Sequence, residues 1–471
     1  MTNSSLLRRC LGGEAVVILL LVVLAPGCNY LGSQRASTPP DSVTVLWAGA
    51  VTSTSARVTA RVPNARREVR LAVSAADGWS GAERVDGTRP PTNPHVHHFR
   101  LEGLTPGTPY RYALEIDGRI DTTRTGEFQT FLDGPFSFRV AMGSCARTGS
   151  QHPVFNAIRR ADPDLFLHLG DMHYENIDVA RRAPFRTAYQ RVHGSPPQSA
   201  LFRSTALAYV WDDHDYGTNN SSRRAPGQSE AQTVYREYVP HYPLARDTTT
   251  APIYQAFTVG RVRFLLTDLR SARSPNTIPD PQQTMMGARQ KEWFKRQLAQ
   301  AKDTYPVIAW ISTMPWIGEK GSSDDHWGGF SVERRELAQY IDSLGVADQL
   351  VVLSGDAHMV ALDDGTHNHY GKPDGGGFPV VHGAALDNRG SVKGGPYTHG
   401  PYPNPFRLFR RRPGQFVLMD VTDDGGSQVC VTWRGIRHEP SDGEQSVLLE
   451  WENCFDVPTA AEKTSTAQNG P

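Results

Sequence analysis

Two hydrophobic patterns follow one another along the chain. Residues 43–132 contain short runs in which apolar and polar residues alternate, separated by Gly, Pro and Asn turns. Such runs are typical of half-buried β-strands, so this segment is predicted to be all-β. From Phe136 onward, short continuous apolar runs alternate with stretches of helical periodicity. Buried strands between helices are typical of an α/β layered domain, which we predict for residues 136–456.

One corner of the all-β segment has a distinctive sequence. The run from Leu104 to Tyr110 (LTPGTPY) resembles the corner of fibronectin type III domains, where a Pro-Gly turn precedes a strand whose tyrosine bonds back to the backbone. The resemblance implies a fibronectin type III or immunoglobulin-like domain over residues 43–132.

The first 28 residues are typical of a targeting segment. Arg8 and Arg9 precede an uninterrupted apolar run, Ala15–Ala25, which is too short to cross a bilayer but suits a signal peptide. The run leads to Cys28 in a sequence that resembles a bacterial lipobox, and the paired arginines resemble a twin-arginine signal. A plain secretory signal with a chance cysteine is the alternative. We expect export to the cell envelope or cell surface, with a lipid on Cys28 as the membrane anchor.

Polar segments flank the predicted domains. Residues 29–42 are polar and contain proline, which predicts a tether after the signal peptide. Residues 457–471 are small and polar and are expected to be disordered.

The charge balance argues against nucleic acid as a partner. The chain has 49 Lys and Arg against 49 Asp and Glu, so its formal net charge is zero. No overall basic field favours nucleic acid, and we predict no nucleic-acid-binding surface. Any recognition of phosphate must therefore be local.

Cysteine usage leaves one thiol to explain. Five cysteines are present, and three remain once Cys10 and Cys28 are assigned to the targeting segment. Cys430 lies in an alternating strand and Cys454 ends another, so these two could pair across a hairpin. Cys145 would then be unpaired in an oxidising compartment, which requires that something protect it.

Candidate ligands gather where four apolar runs of the second domain end. They are Cys145 after the first run, Asp171 and Tyr174 after the second, Asp213 after the third, and Asp356 and His358 after the fourth. Ligands of α/β sheets bind outside the carboxyl ends of the strands. The four clusters are therefore expected to converge on one crevice.

These clusters resemble the motifs of the PhoD-like alkaline phosphatase family, a branch of the calcineurin-like metallophosphoesterases. The matching motifs are Ser144-Cys145, Gly170-Asp171-x-x-Tyr174, Trp211-Asp212-Asp213-His214-Asp215, Asp268-x-Arg270 and Gly355-Asp356-x-His358. The resemblance implies a four-layer α/β sandwich after the β-domain, and metal-dependent hydrolysis of phosphate esters.

The donor types divide the expected site between two cations. Thiolate, phenolate, carboxylate and imidazole from Cys145, Tyr174, Asp171 and His358 favour Fe³⁺. The carboxylates Asp171, Asp213 and Asp356 form an oxygen-rich site that suits Ca²⁺, with Mg²⁺ or Mn²⁺ as alternatives. Coordination to a metal would also protect the thiol of Cys145.

The expected mechanism needs no covalent protein nucleophile. A hydroxide held between the two cations attacks phosphorus in line with the leaving group. His214 would protonate the leaving oxygen or stabilise the transition state, and Asp215 could orient it. Arg270 either clamps a phosphoryl oxygen or forms an ion pair with Asp268.

Two further stretches offer groups for an anionic substrate. Asn219 and Asn220 could donate to phosphate or hold the loop that contains Asp213. Arg389 and Lys393 lie in a glycine-rich stretch that could contact the substrate or be a surface loop.

Three functions remain open at this point. The chain is predicted to hydrolyse phosphate monoesters, diesters or both. A phosphodiesterase of phospholipase D type, acting on lipid or polymer diesters, is the nearest alternative. A surface-binding lipoprotein without activity is the other.

Overall fold

The computed structural model describes most of the chain. It covers residues 42–246, 248–280, 282–321, 325–371, 376–405 and 412–459. The predicted signal peptide, the lipidation site Cys28, nearly all of the linker and most of the polar tail lie outside these residues. Within the described ranges, no helix combines the length and the apolar character needed to cross a membrane.

The N-terminal segment is all-β, as predicted. Its strands are β1 (Val45–Gly49), β2 (Ser55–Arg61), β3 (Val69–Ser74), β4 (Glu83–Asp86), β5 (Val96–Glu102), β6 (Pro109–Ile116) and β7 (Arg119–Gln129). Strands β1, β2 and β5 are neighbours in one sheet, and β4, β3, β6 and β7 form a second sheet in that order. Buried residues of both sheets, among them Val45, Val58, Leu71 and Leu114, share one core.

The predicted corner is present. The backbone NH of Thr105 donates to Tyr110 Oη at 2.9 Å, so the tyrosine ties its strand back to the preceding turn. This contact supports the fibronectin-like interpretation of the segment, which stays a prediction.

The rest of the chain alternates strands and helices. The strands are β8 (Phe138–Gly143), β9 (Leu165–His168), β10 (Ala206–Tyr209), β11 (Gln255–Val259), β12 (Val262–Leu266), β13 (Val307–Ile311), β14 (Leu350–Ser354), β15 (Met359–Asp363), β16 (Val380–Gly383), β17 (His399–Pro403), β18 (Gly414–Thr422), β19 (Gln428–His438) and β20 (Gln445–Asp456). The helices are α1 (Val154–Arg160), α2 (Arg182–His193), α3 (Pro196–Ser204), α4 (Asp213–Tyr216), α5 (Gln228–Tyr238), α6 (Gly287–Ala301) and α7 (Ser331–Leu344).

Two mixed sheets organise this part of the molecule. One sheet has the order β20-β19-β18-β8-β9-β10-β1-β2-β5, and the other has the order β11-β12-β13-β14-β16-β15-β17. Strand β1 pairs in parallel with β10, so the first sheet continues across the predicted boundary between the β-segment and the α/β domain. The N-terminal strands β1, β2 and β5 thus extend the edge of the α/β domain's first sheet.

Alternating burial explains the layers. Along β13, Ala309 and Ile311 face a core that also contains Val140 and Leu167 of the other sheet. The intervening Trp310 packs in a separate core with residues of α6 and α7. Helices α1, α2 and α3 contact strands of the first sheet, and α6 contacts β12 of the second. The sheets therefore lie face to face between helices, the layered α/β arrangement that the apolar runs predicted.

The two late cysteines are joined as predicted. Cys430 of β19 and Cys454 of β20 are directly opposed in the antiparallel pair, with Cα atoms 4.0 Å apart, and form a disulfide. Cys145 is a free, buried thiol.

This disulfide should stabilise the outer hairpin of the sheet. The bridged residues are separated by 24 positions. Closing a loop of that size removes about 3 kcal/mol of chain entropy from the unfolded state. The double variant Cys430→Ser/Cys454→Ser should lower the free energy of unfolding by that order in urea titrations. Peptide mapping of the non-reduced protein should find the Cys430–Cys454 bridge, and a bridge that involves Cys145 would contradict the assignment.

Candidate metal centre

The predicted strand ends do converge. Cys145 follows β8, Asp171 follows β9, Asp213 begins α4 just after β10, and Asp356 follows β14 of the second sheet. All four side chains are almost completely buried. The carboxyl ends of strands from both sheets thus deliver their polar residues to one place, as expected for α/β folds.

The backbone at these positions is strained. Cys145 (φ 61°), Asp171 (φ 54°), Asp356 (φ 54°) and His358 (φ 52°) all adopt left-handed conformations. Each such conformation costs a residue with a Cβ atom about 1–3 kcal/mol. Strain of this kind persists where the surrounding structure needs a side chain aimed in one direction, and here it coincides with the predicted ligands.

A first donor set surrounds Tyr174. Its hydroxyl lies 2.8 Å from Asp171 Oδ2 and 2.8 Å from His358 Nε2. Cys145 Sγ lies 3.8 Å from the same Asp171 oxygen. Ligand atoms of Cys145, Asp171 and His358 all lie within 4.8 Å of one another. The structure therefore brings together the four residues that the sequence assigned to one cation.

A contact behind His358 fixes its orientation. Its Nδ1 bonds to the backbone carbonyl of Arg389. Because a carbonyl only accepts, Nδ1 carries the proton and Nε2 presents its lone pair to the donor set. Metal-binding histidines are commonly oriented in this way.

A second donor set is made of carboxylates. Ligand atoms of Asp212, Asp213 and Asp356 lie within 4.8 Å of one another, as do those of Asp171, Asp213 and His214. Asp171 belongs to both sets of donors, which is the bridging position that the sequence predicted for it. Asp212 was not predicted to face the site, although the adjacent Asp pair in Trp-Asp-Asp-His was visible in the sequence.

The electrostatics of the protein alone are unfavourable here. Burial, followed by the neighbouring carboxylates, raises the pKa of Asp171 well above its usual range, and burial likewise raises the pKa of Asp356. Burial also raises the pKa of Cys145 and Tyr174. Burial works against ionisation of Asp213 too, but nearby positive groups, Arg270 first, together lower its pKa. The buried acids therefore need more positive charge than the side chains supply.

The residues fit bound metal ions. The side-chain oxygens Asp212 Oδ2 and Asp356 Oδ2 are buried without a hydrogen-bond partner among the described residues. Carboxylate oxygens in that state are costly unless a cation or donor reaches them. Sulfur, phenol, carboxylate and imidazole donors on one side can hold a transition-metal ion, and the carboxylates on the other can hold a hard divalent cation.

Arg270 has neither of the two roles predicted from the sequence, which were to clamp a phosphoryl oxygen or to form an ion pair with Asp268. Its Nε donates to Asp212 Oδ1, and its Nη2 lies 3.9 Å from Asp213 Oδ1. Its side chain has no exposed surface, so it is not open to a substrate oxygen. Asp268 instead accepts from the backbone NH of Arg270 and from the indole of Trp211. Arg270 therefore serves as a buried counter-charge beneath the carboxylates.

The predicted role of Asp215 also needs correction. Its carboxylate accepts from the backbone NH groups of Asp212 and His173, which fixes the turn into α4. Adjacent residues of a helix point in different directions, so Asp215 cannot face the ring of His214. Asn176 takes this role, because its Oδ1 lies 2.6 Å from His214 Nδ1. Nothing in the spacing of the sequence marked Asn176.

The two asparagines after α4 have different places. Asn220 donates its backbone NH to Asp213 Oδ2 and accepts from Arg273, so it holds the loop around that ligand. Asn219 is exposed. The structure agrees with the loop-holding alternative for Asn220.

The glycine-rich stretch runs along the ligand segment. Ser391 Oγ donates to the carbonyl of Ala357 at 3.0 Å, and Lys393 Nζ donates to Asp356 Oδ1 at 2.8 Å. With the His358–Arg389 bond included, residue 389 contacts residue 358, residue 391 contacts residue 357, and residue 393 contacts residue 356. Lys393 also pairs with Asp325 at 2.6 Å. The ammonium group thus lies at the carboxylate set, while the side chain of Arg389 is exposed.

Fold and site define a layered α/β domain with two adjoining sets of candidate metal ligands. The profile of the PhoD-like phosphatase family matches residues 140–386, which contain all the candidate metal ligands described above. The chain belongs to the PhoD-like phosphatase family.

Solved structures share the fold. The structure of PhoD is similar with a TM-score of 0.68 and 18% identity, covering 88% of this chain and 90% of that chain. Purple acid phosphatase PPD1 from yellow lupin (Lupinus luteus) seeds gives a TM-score of 0.57 with 14% identity, covering 88% and 74%.

One curated relative is similar in sequence. Purple acid phosphatase 15 of Arabidopsis thaliana is 21% identical over 315 residues, which cover 63% of this chain. The chain spans about half the length of that relative (54%).

Removing the Asp171 carboxylate should have opposite effects on metal binding and on the stability of the metal-free protein. Asp171→Asn should lose bound metal and phosphatase activity together, because the variant loses the carboxylate common to both donor sets. In excess chelator, the same variant should be more stable than wild type by about 1 kcal/mol, because folding no longer has to protonate a buried carboxylate or hold it charged among other carboxylates. Elemental analysis and urea unfolding with EDTA measure the two effects.

Asp420→Asn is the matched control. Asp420 pairs with Arg139 and Arg434 on the sheet, away from the donors. This variant should keep metal and activity. An Asp171→Asn protein that retained full metal content and rate would contradict the bridging role.

Proposed function

We propose that the protein is an exported phosphoesterase that hydrolyses phosphate monoesters, diesters or both at a centre of two or more cations. The observation that carries the proposal is the position of Asp171, whose carboxylate belongs both to the set with Cys145 and Tyr174 and to the set with Asp213. Export and a lipid anchor on Cys28 rest on the sequence of residues 1–28 alone.

We assign Fe³⁺ to the first set and Ca²⁺ to the second, with Mg²⁺ or Mn²⁺ as alternatives for the second. Phenolate and thiolate are anionic donors that favour a trivalent ion, and a carboxylate set favours a hard divalent ion. When bound, such ions polarise the phosphoryl group and supply an activated water as nucleophile.

The protein's own side chains then position the substrate and balance the charge of the carboxylates. Lys393, at Asp356, can exchange this contact for a phosphoryl oxygen, and Arg389 is exposed beside His358. Arg270 stays behind Asp212 and Asp213, where its positive charge favours the ionised form of each carboxylate and opposes the effect of burial. Recognition of the anionic substrate is thereby local, as the zero net charge requires.

His214 is the side chain best placed to donate a proton to the leaving group. Its ring lies against that of Tyr174, with centroids 4.1 Å apart. The Asn176 oxygen at Nδ1 makes Nδ1 the protonated nitrogen of the neutral ring, so Nε2 can donate only from the imidazolium. Burial lowers the pKa of His214, so the imidazolium forms at more acidic pH than usual.

The type of ester can be tested directly. Rates on p-nitrophenyl phosphate and on bis-p-nitrophenyl phosphate, measured on one metal-loaded preparation, compare monoesterase with diesterase activity. A protein that binds its metals but turns over neither ester would contradict the proposed function and favour a non-catalytic surface protein.

His214→Ala should retain most of the bound metal yet lose roughly 10²–10⁴ in kcat, the usual contribution of acid–base catalysis. The loss should shrink for p-nitrophenolate, a leaving group that needs no proton, if His214 acts as an acid. It should be equal for all leaving groups if His214 stabilises phosphoryl charge. Asn176→Ala should show a smaller loss in the same direction, because the ring is present but no longer oriented.

His95→Ala, in the N-terminal β-segment, is the control for removing an imidazole and should have wild-type kinetics. Wild-type rates for His214→Ala on every ester would remove His214 from the mechanism.

A further inference from the structure

A second polar cavity lies away from the metal centre. It has a volume of about 340 Å³ and opens between the sheet β4-β3-β6-β7 and helices α1 and α3. Arg111 of β6, Arg159 of α1 and Arg203 of α3 line it, together with Trp79 from the turn between β3 and β4. Its size is within the range of small-ligand sites.

This basic cavity has an excess of positive charge, with three arginines in its lining. Among the described residues that line it, only Glu127 is acidic. Arg111 pairs with Asp77 at 2.9 Å, but both side chains are exposed, so that pair contributes little. Arg203 donates to the neutral backbone carbonyls of Ser199 and Thr125.

The arginines are also close enough to repel one another. Burial lowers the pKa of Arg203, and the charge of Arg159 lowers it further. Burial and then the charge of Arg203 likewise lower the pKa of Arg124, which lies beside the cavity on β7. Positive charges that outnumber the carboxylates around them are stabilised when an anion binds between them.

The side chains indicate what kind of anion fits. Guanidinium groups match the geometry of phosphate oxygens and bind them through pairs of hydrogen bonds. Trp79 adds a flat apolar surface of the kind that packs against the ring or carbon skeleton of a ligand. Three arginines suit a multiply charged group better than a single carboxylate.

The basic cavity and the metal centre are at opposite ends of the strands. Helix α3 ends at Ser204, immediately before β10 begins at Ala206, whereas the ligands Asp212 and Asp213 follow the other end of β10. Arg159 likewise lies in the last turn of α1, which leads into the start of β9. One small phosphate ester cannot occupy both places.

We propose that this cavity is a second anion site, which binds a phosphate group and is distinct from the metal centre. The phosphate can be free inorganic phosphate or part of a polyanion long enough to reach from one end of the sheet towards the other. These two sources share the chemistry of recognition and differ in how affinity depends on chain length.

The test uses Arg111→Gln/Arg159→Gln in the full-length, metal-loaded protein. Calorimetric titration of wild type with inorganic phosphate should reveal two classes of site. The double variant should lose the class that does not compete with p-nitrophenyl phosphate, or bind it at least tenfold more weakly, while kcat/KM for that ester stays at the wild-type value. Arg181→Gln/Arg182→Gln, exposed arginines at the start of α2, removes the same charge outside the cavity and should keep both classes.

Linear polyphosphate separates the two sources. A polyanion ligand predicts that long chains bind wild type at least tenfold more tightly than tripolyphosphate, and that the double variant loses this gain. A free-phosphate ligand predicts equal affinity per phosphate at all lengths. A single class of phosphate site in wild type, or a second class that survives in the double variant, would overturn the proposal, and neither result would affect the proposed catalytic centre.

Discussion

The repulsion among buried carboxylates is the constraint on which the rest of this structure depends. Asp171, Asp212, Asp213 and Asp356 are almost fully buried within one small volume. The protein meets part of the cost with Arg270 behind the carboxylates and Lys393 beside them. Bound cations must meet the remainder, because burial otherwise drives Asp171 and Asp356 towards their neutral forms.

The fold provides what such a cluster needs. Two sheets packed face to face bring strand ends from both into one crevice, so Cys145, Asp171, Asp213 and Asp356 each reach the site directly after a strand. The left-handed backbone at Cys145, Asp171 and Asp356 turns each side chain inward directly after its strand. The large apolar cores on the two faces of the sheets offset the stability that is lost to this strain.

The sequence predicted much of this because strands and ligands leave local signals. Apolar runs followed at once by Asp, Cys or Tyr marked the strand ends, and the donor chemistry of Cys145 and Tyr174 separated two kinds of site. The disulfide followed from two cysteines in alternating strands. The roles of Arg270 and Asp215 did not follow, because they depend on which neighbour a buried side chain reaches, and that is a property of tertiary packing. Asn176 as the partner of His214, and the joining of β1 to β10, are long-range contacts of the same kind.

Locating the metal ions tests the account most directly. Anomalous difference maps from crystals of the enzyme, purified without chelator and measured on either side of the iron absorption edge, report both position and identity. The account predicts an iron peak within bonding distance of Cys145 Sγ, Tyr174 Oη, Asp171 and His358, and a second, iron-free density peak among Asp171, Asp213 and Asp356. Ordered carboxylates with no cation between them, in a preparation that hydrolyses phosphate esters at full rate, would contradict it.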